Sequence, residues 1–246
     1  MTDLHLIMPM AGAGSRFFKD GFVMPKPLIE IKGKPFFYWA TQSIRKFVPL
    51  KSLTFVVLQE HIEEFDIQAK ISEYFPEAKF QIIPRVLDGA VLTCMEGIKN
   101  IPDGDAIIFN DCDHLFYCNQ FYNGIKEEHF GEIDGALLTF ASNEDKYSYL
   151  AYNDKGYVEK TVEKVVISND AICGAYYFKN KELFASSVAE YLEICEYSEY
   201  FVSGVYNVMA KNGLKIKGIS VDSHLPFGTP DEYFVATESD AFGGLL

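Results

Sequence analysis

The sequence predicts an α/β protein with a mostly parallel central sheet sandwiched by helices. Two observations predict it. An apolar strand runs directly into a glycine loop within the first sixteen residues, and short apolar runs then alternate with helix-period segments up to about residue 130. The first strand is Leu4-His5-Leu6-Ile7-Met8, and residues 53–58 form a second buried one. Residues 61–75 read as one amphipathic helix, because Ile62, Phe65, Ala69 and Ile71 fall near one face. Residues 79–83 and 105–109 are further strands, with a helix over 90–100 between them. Strands that alternate with helices in this way build βαβ units, whose ligands collect at the carboxyl ends of the strands.

After residue 130 the rhythm changes. Residues 136–141, 147–152, 157–164 and 171–178 are successive strand candidates, with a hairpin turn at Asn153-Asp154-Lys155-Gly156. A helix over 181–194, another around 205–211 and a strand at 214–221 follow. No proline-rich linker, low-complexity segment or internal repeat interrupts the chain. The expectation is a single domain over 1–246, with a nucleotide-binding half (1–130) and an acceptor-binding half (131–246).

Composition narrows the function. A hydrophobic content of 48% and an aromatic content of 15% argue against disorder. A net charge of -13 argues against general nucleic-acid binding, which needs a basic face. Met1-Thr2-Asp3 lacks the basic start of a secretory signal, and no apolar run approaches the roughly 18 residues of a membrane span. Cys94, Cys112, Cys118, Cys173 and Cys195 show no Cys-x-x-Cys spacing, which suggests free thiols in a cytoplasmic protein and no cysteine-ligated zinc. The expected partners are small molecules, without membrane or nucleic acid, and the sequence leaves homo-oligomerisation open.

The candidate site begins at Met10-Ala11-Gly12-Ala13-Gly14-Ser15-Arg16, followed by Pro25-Lys26-Pro27-Leu28. Glycines at the end of a buried strand let backbone N–H groups approach an anion closely. Arg16 and Lys26 add two positive charges, one a fork and one a point. Together they describe a triphosphate cradle. It is not the dinucleotide fingerprint, because Phe17 stands where the third glycine is needed and Pro25 and Pro27 prevent a helix from continuing. Nor is it a P-loop, because Gly33-Lys34 is followed by Pro35 and Leu28 takes the place of the first glycine. A polyanion bound by so acidic a chain demands local positive charge and a divalent metal.

Asp113 follows a strand, at the same edge of the sheet as the glycine loop, and is placed to hold Mg²⁺; Asp111, two residues away, can assist. The alternative is that both aspartates only shape the turn that caps a helix near Asn119. His5 and His61 read as packing or surface residues and His114 as a neighbour of the metal strand. Tyr197, Tyr200, Phe201 and Tyr206 form an aromatic cluster of core or pocket type.

The run from Pro9 to Phe17 with Pro25-Lys26-Pro27-Leu28 resembles the signature of the sugar-phosphate nucleotidylyltransferases. The likeness continues in Gly89-Ala90 with Thr93 (a base-reading segment), Asn110-Asp111-Cys112-Asp113-His114 (a metal strand) and Glu163-Lys164 (a pair that meets the acceptor phosphate). It extends to Cys173-Gly174-Ala175-Tyr176-Tyr177-Phe178, an acceptor-pocket strand, and to the turn Gly228-Thr229-Pro230-Asp231-Glu232. Six such segments in the same order cover nearly the whole chain, and their flavour is that of the small capsule- or lipopolysaccharide-associated branch.

The resemblance implies a mixed-sheet, Rossmann-like nucleotidyltransferase (GT-A-type) fold. It also implies transfer of a nucleoside monophosphate from a triphosphate to a phosphorylated acceptor, with release of pyrophosphate. Arg16, Lys26 and Asp113 are then catalytic. Met10 to Arg16, Lys26, Arg85, Gly89 and Ala90 hold the nucleotide, and Glu163, Lys164, Gly174, Glu199 and Tyr206 hold the acceptor. Mg²⁺ sits on Asp113, assisted by Asp111. Many relatives carry a second metal-binding aspartate two residues before the Gly-Thr pair. Pro226 stands there, which makes Asp222 a candidate substitute. Two other readings compete: a glycosyltransferase that uses Asp111 and Asp113 as an Asp-x-Asp motif for a nucleotide-sugar donor, and a non-catalytic nucleotide-binding regulatory subunit. The base and the acceptor stay open.

Overall fold

The first apolar run forms strand β1 (Leu4–Pro9). Its side chains alternate with the strand period, Leu6 and Met8 into one hydrophobic cluster and Ile7 into another. Burial on both faces is the reason the run is apolar but for His5. The computed structural model describes residues 3–127 and 129–244. Beyond β1 come α1 (Ser15–Lys19), β2 (Glu30–Ile31), β3 (Lys34–Pro35), α2 (Phe36–Arg45) and β4 (Ser52–Leu58). Then follow α3 (Gln59–Phe65), α4 (Ile67–Tyr74), β5 (Lys79–Ile83), α5 (Ala90–Gly97), β6 (Ala106–Asn110), β7 (His114–Tyr117) and α6 (Asn119–Lys126). The back half adds β8 (Gly135–Ala141), β9 (Ser148–Tyr152), β10 (Val158–Glu163), β11 (Asp170–Phe178), α7 (Lys181–Ile194) and α8 (Val202–Lys211). It closes with β12 (Ile216–Ser220), β13 (Ser223–Pro226) and α9 (Pro230–Thr237).

Among the described residues nine strands form one mixed sheet, in the order β10-β9-β11-β6-β1-β4-β5, with β8 beside β11 and β12 beside β8. β6, β1, β4 and β5 are parallel, as the alternating rhythm predicts. β11 enters antiparallel to β6, and β8, β9 and β10 extend the antiparallel part. The β6–β11 ladder joins the chain before residue 130 to the chain after it, so one continuous sheet supports both.

One predicted helix is two. Asp66 adopts left-handed backbone (φ 51°), which ends α3 and starts α4; aspartate tolerates this conformation better than most residues. The break resets the helical phase, so that Ile67 is buried beside Ile71 while Ala69 is exposed. A third cluster of Phe17, Phe36, Trp39, Phe227 and Phe242 clamps the exit of the glycine loop against the segment that leads into α9. Phe17 is 1% exposed, and such a burial contributes roughly 1.5–3 kcal/mol. Phe17 thus anchors the loop where a nucleotide fingerprint would have a glycine. His5 is structural: its ring nitrogens lie 2.6 Å from Ser52 Oγ and 3.0 Å from Asp105 Oδ2. Four of the five cysteines are buried, and all five are free thiols. No helix of the described residues is long and apolar enough to cross a membrane.

Candidate active site

Every residue from Pro9 to Phe17 lines a cavity of about 410 Å³, together with Lys26, Gly89, Ala90, Thr93, Glu199 and Gly228. The strand end and the loop therefore meet the start of α5, as the position of Gly89 and Ala90 suggests. A smaller cavity of about 170 Å³ is lined by Asp111, Asp113, Gly174, Tyr176, Lys146, Tyr147, Thr229 and Glu232, among others. Arg16 and Gly228 line both cavities and mark where they meet.

Lys26 sits at that junction. Pro25 holds it at the start of a single 3₁₀ turn, and Pro27 and Leu28 behind it are buried. Its Nζ donates to Asp113 Oδ2 at 2.5 Å, with the two side chains 27% and 23% exposed. Gly14 lets the loop pass close by: a Cβ there would lie 3.4 Å from that of Lys26.

Each aspartate rests against a glycine. A Cβ at Gly174 (φ 96°) would come within 2.7 Å of Asp111 Oδ2, and one at Gly228 would collide with Asp113 Oδ2. The sequence reading assigned the space at Gly174 to an acceptor; the Asp111 carboxylate takes part of it. The backbone fixes the turn, with Asp111 N–H donating to Gly174 O and Phe227 N–H to Asp113 O, both at 2.9 Å.

The electrostatics separate the two carboxyls. Burial, and then the charge of Asp113, push Asp111 up to about 7. Burial acts in the same sense on Asp113, but the Lys26 ammonium overrides it and holds Asp113 below the usual carboxylate range. Burial opposes the charge on Lys26, yet Asp113 and Asp111 keep its pKa above the ordinary lysine value. Burial pushes His114 down to about 4, so it is neutral, with Nε2 3.0 Å from Asn110 Oδ1.

Two carboxylates facing one ammonium, with no donor paired to Asp111 among the described residues, suit a small divalent cation. Mg²⁺ takes one or two carboxylates and completes its shell with water and phosphate oxygens. No group of three or more His, Cys, Asp or Glu side chains forms a metal-ligand set among the described residues, so a cation here relies on those other oxygens.

Several expected residues lie elsewhere. Asp222 is exposed and caps α6, accepting the Asn119 N–H at 2.6 Å; it does not line the smaller cavity. Pro226 does line that cavity and pairs with His114 in the β7–β13 ladder. Tyr206 is a core residue, its hydroxyl donating to Tyr177 O (2.9 Å) and Ala136 O (3.2 Å). Arg85 lies in the exposed bend after β5 and lines neither cavity. Glu199 joins the larger cavity with the glycine loop rather than the smaller one.

Glu163 and Lys164 stand beside the cavities rather than in their lining. Glu163 accepts hydrogen bonds from Ser148 Oγ at 2.6 Å and from Ser203 Oγ, and its charge adds to the upward push on Asp111. Lys164 has left-handed backbone (φ 56°) and is exposed, its ammonium 5.1 Å from the centre of the Phe201 ring.

Sequence reasoning missed Lys146 and Tyr147. Both converge on Glu232 Oε1, at 2.8 and 2.6 Å. Burial would raise Glu232, but these two hydrogen bonds hold it below its ordinary value. Glu232 also closes a capping box with Thr229 at the start of α9, a pattern that Thr229-x-x-Glu232 does announce. Nothing in the sequence marks Lys146 and Tyr147, which lie in the loop before β9.

The 195–201 segment closes the larger cavity through backbone contacts. Tyr200 N–H donates to Asp88 O at 3.2 Å and Val91 N–H donates to Tyr200 O at 3.1 Å. Gly89 (φ 118°) passes so close that a side chain would collide with the Tyr200 backbone. Gly89→Ala is therefore expected to cost about 2–3 kcal/mol, lowering Tm by roughly 5–10 °C. Thermal unfolding followed by circular dichroism checks this, and an unchanged Tm would show that the segment can move aside freely.

Neither a protein-family model nor a curated protein matches the sequence. Solved structures do match. The structure described as a nucleoside-diphosphate-sugar pyrophosphorylase from Vibrio cholerae RC9 superposes with a TM-score of 0.81 at 23% identity, over 95% of this chain and 100% of that one. An inositol-1-phosphate CTP transferase from T. maritima superposes with a TM-score of 0.76 at 13% identity, over 99% of this chain and 94% of that one. With TM-scores of 0.81 and 0.76 over nearly the whole of both chains, this chain has the fold of the sugar-phosphate nucleotidyltransferases.

Proposed function

We propose that the protein transfers a nucleoside monophosphate from a nucleoside triphosphate to the phosphate of a small acceptor, a sugar 1-phosphate or similar metabolite, and releases pyrophosphate. The observation that carries this reading is Lys26, fixed between the glycine loop and Asp113 where the two cavities meet. The triphosphate lies along the loop, with the backbone N–H groups of residues 11–15 and the Arg16 guanidinium on its β- and γ-phosphates. The acceptor phosphate comes from the side of the smaller cavity, met by Lys164.

An acceptor oxygen attacks the α-phosphorus, a new P–O bond forms, and the bond to the β-phosphate oxygen breaks to release pyrophosphate. The acceptor monoester is already ionised near neutral pH, so no protein group has to remove a proton. What the chain supplies is alignment and positive charge. Lys26 keeps its proton and shifts from Asp113 toward the α-phosphate oxygens as charge builds there. Asp113 and Asp111 would hold a divalent cation, Mg²⁺ by the chemistry of the donors, which would supply further positive charge to the phosphate oxygens. The resemblance to the capsule- and lipopolysaccharide-associated branch supports an activated precursor of surface polysaccharide as the product.

The test is a pyrophosphate-release screen of four nucleoside triphosphates against a panel of phosphorylated acceptors, with and without Mg²⁺. We expect pyrophosphate only when triphosphate, acceptor and cation are all present. Release of nucleoside diphosphate from a nucleotide-sugar instead would favour the glycosyltransferase reading of Asp111 and Asp113. Within the same assay Lys164→Ala is expected to raise KM for the acceptor about tenfold, with KM for the triphosphate unchanged, the signature of lost binding on one side only. A loss of triphosphate binding in this variant, measured by calorimetry without acceptor, would put Lys164 on the wrong substrate.

A further inference from the structure

Away from both cavities, a groove of about 760 Å³ is lined by β10, the turn that joins it to β9, and the C-terminal end of α8 with the turn into β12. Lys155, Lys160, Lys211 and Lys215 line it, against a single carboxylate, Glu159. The chain as a whole carries 35 acidic side chains and 22 lysines and arginines, so the groove inverts the charge of its surroundings. Lys155, Lys160 and Lys215 form no ion pair among the described residues, and Lys211 approaches Glu190 only to 3.7 Å. A fifth ammonium, that of Lys217, lies beside the groove, 4.5 Å from the centre of the Tyr157 ring.

The walls are fixed. Asn207 Oδ1 accepts the Thr161 N–H at 2.7 Å, Asn207 Nδ2 donates to Thr161 O at 3.1 Å, and Thr161 Oγ1 donates to Ser203 O at 2.9 Å. These bonds lock β10 to α8, the two elements that carry Lys160 and Lys211. Ammonium groups that outnumber the carboxylates around them repel one another, and an anion among them relieves that repulsion. Lysine binds phosphate as a point charge, and four lysines match the three to four negative charges of two linked phosphates better than a single phosphate.

We propose that this groove binds a small molecule carrying two linked phosphates, at a site separate from the candidate active site. None of the residues lining it lines either of the other two cavities. Its volume falls within the usual range of small-ligand sites and admits inorganic pyrophosphate or a nucleoside diphosphate.

The experiment is lysine acylation of the intact protein with an N-hydroxysuccinimide ester, read residue by residue by mass spectrometry. The probes are inorganic pyrophosphate and uridine diphosphate, with sulfate at matched ionic strength as the control. At about 10 mM ligand, tenfold above a millimolar Kd, we expect Lys155, Lys160 and Lys215 to react about fivefold more slowly while Lys79 reacts as before. Protection by pyrophosphate alone assigns the free anion; protection by uridine diphosphate as well admits nucleotides. The same protection is expected in Lys26→Ala, which makes the result independent of the proposed reaction. Unchanged rates with both probes, or equal slowing by sulfate, would overturn the proposal.

Discussion

Asp113→Asn is expected to lower turnover at least about a hundredfold, the scale of losing a principal electrostatic stabiliser at a phosphoryl centre. The substitution keeps the shape of the side chain and its fit against Gly228, so the geometry of the turn survives. What disappears is the anion that pairs with Lys26 and that, with Asp111, offers oxygen ligands to a cation. Steady-state pyrophosphate release as a function of Mg²⁺ concentration is the measurement. The loss should persist at saturating Mg²⁺, because the missing ligand changes where the ion sits and not only how tightly it binds. Asp111→Asn is expected to be milder, since Asp111 holds no ammonium in the structure. Near-normal turnover in Asp113→Asn would remove this carboxylate from the mechanism, and a reversed order of the two effects would make Asp111 the principal ligand.

Lys26→Ala is expected to reduce kcat about a hundredfold or more while KM for the triphosphate changes less than about threefold, because charge at the α-phosphate grows mainly in the transition state. Arg16→Ala is expected to show the opposite balance, with the larger change in KM. Lys26→Ala also leaves Asp113 without its partner beside Asp111. Two neighbouring carboxylates, partly buried, make that costly, at about 1–3 kcal/mol. Thermal unfolding should therefore report a lower Tm for this variant, partly restored by Mg²⁺, which replaces the missing positive charge. Equal KM-only defects in the two variants would reduce the loop to a docking surface with no part in the chemical step.

Much of this protein is legible from local pattern. The parallel strands β1, β4 and β6 announce themselves because a strand buried on both faces is predominantly apolar. The glycine loop and the Pro-Lys-Pro turn are legible because glycine frees the backbone for conformations other residues avoid and proline fixes it, wherever they stand. The helix predicted over residues 61–75 fails at one residue, since nothing in a periodic pattern signals that Asp66 will turn left-handed. Arg85 and Tyr206 fail for a different reason: proximity in sequence to Gly89, or membership of an aromatic cluster, does not say which way a side chain faces.

Local pattern was enough for the fold class, the glycine loop and the placement of Asp113 just after a buried strand, because each shows in short stretches of consecutive residues. That Lys26 meets Asp113, 87 residues away, became visible in the folded chain and not before. Tertiary structure alone brought Glu199 to the glycine loop, turned Asp222 to cap α6 and gathered Lys146 and Tyr147 onto Glu232. The physical reason is the same in each case. Local conformation follows from backbone sterics and hydrophobic period, whereas a meeting of distant side chains depends on strand order, on where loops cross the sheet edge and on which charges burial forces together.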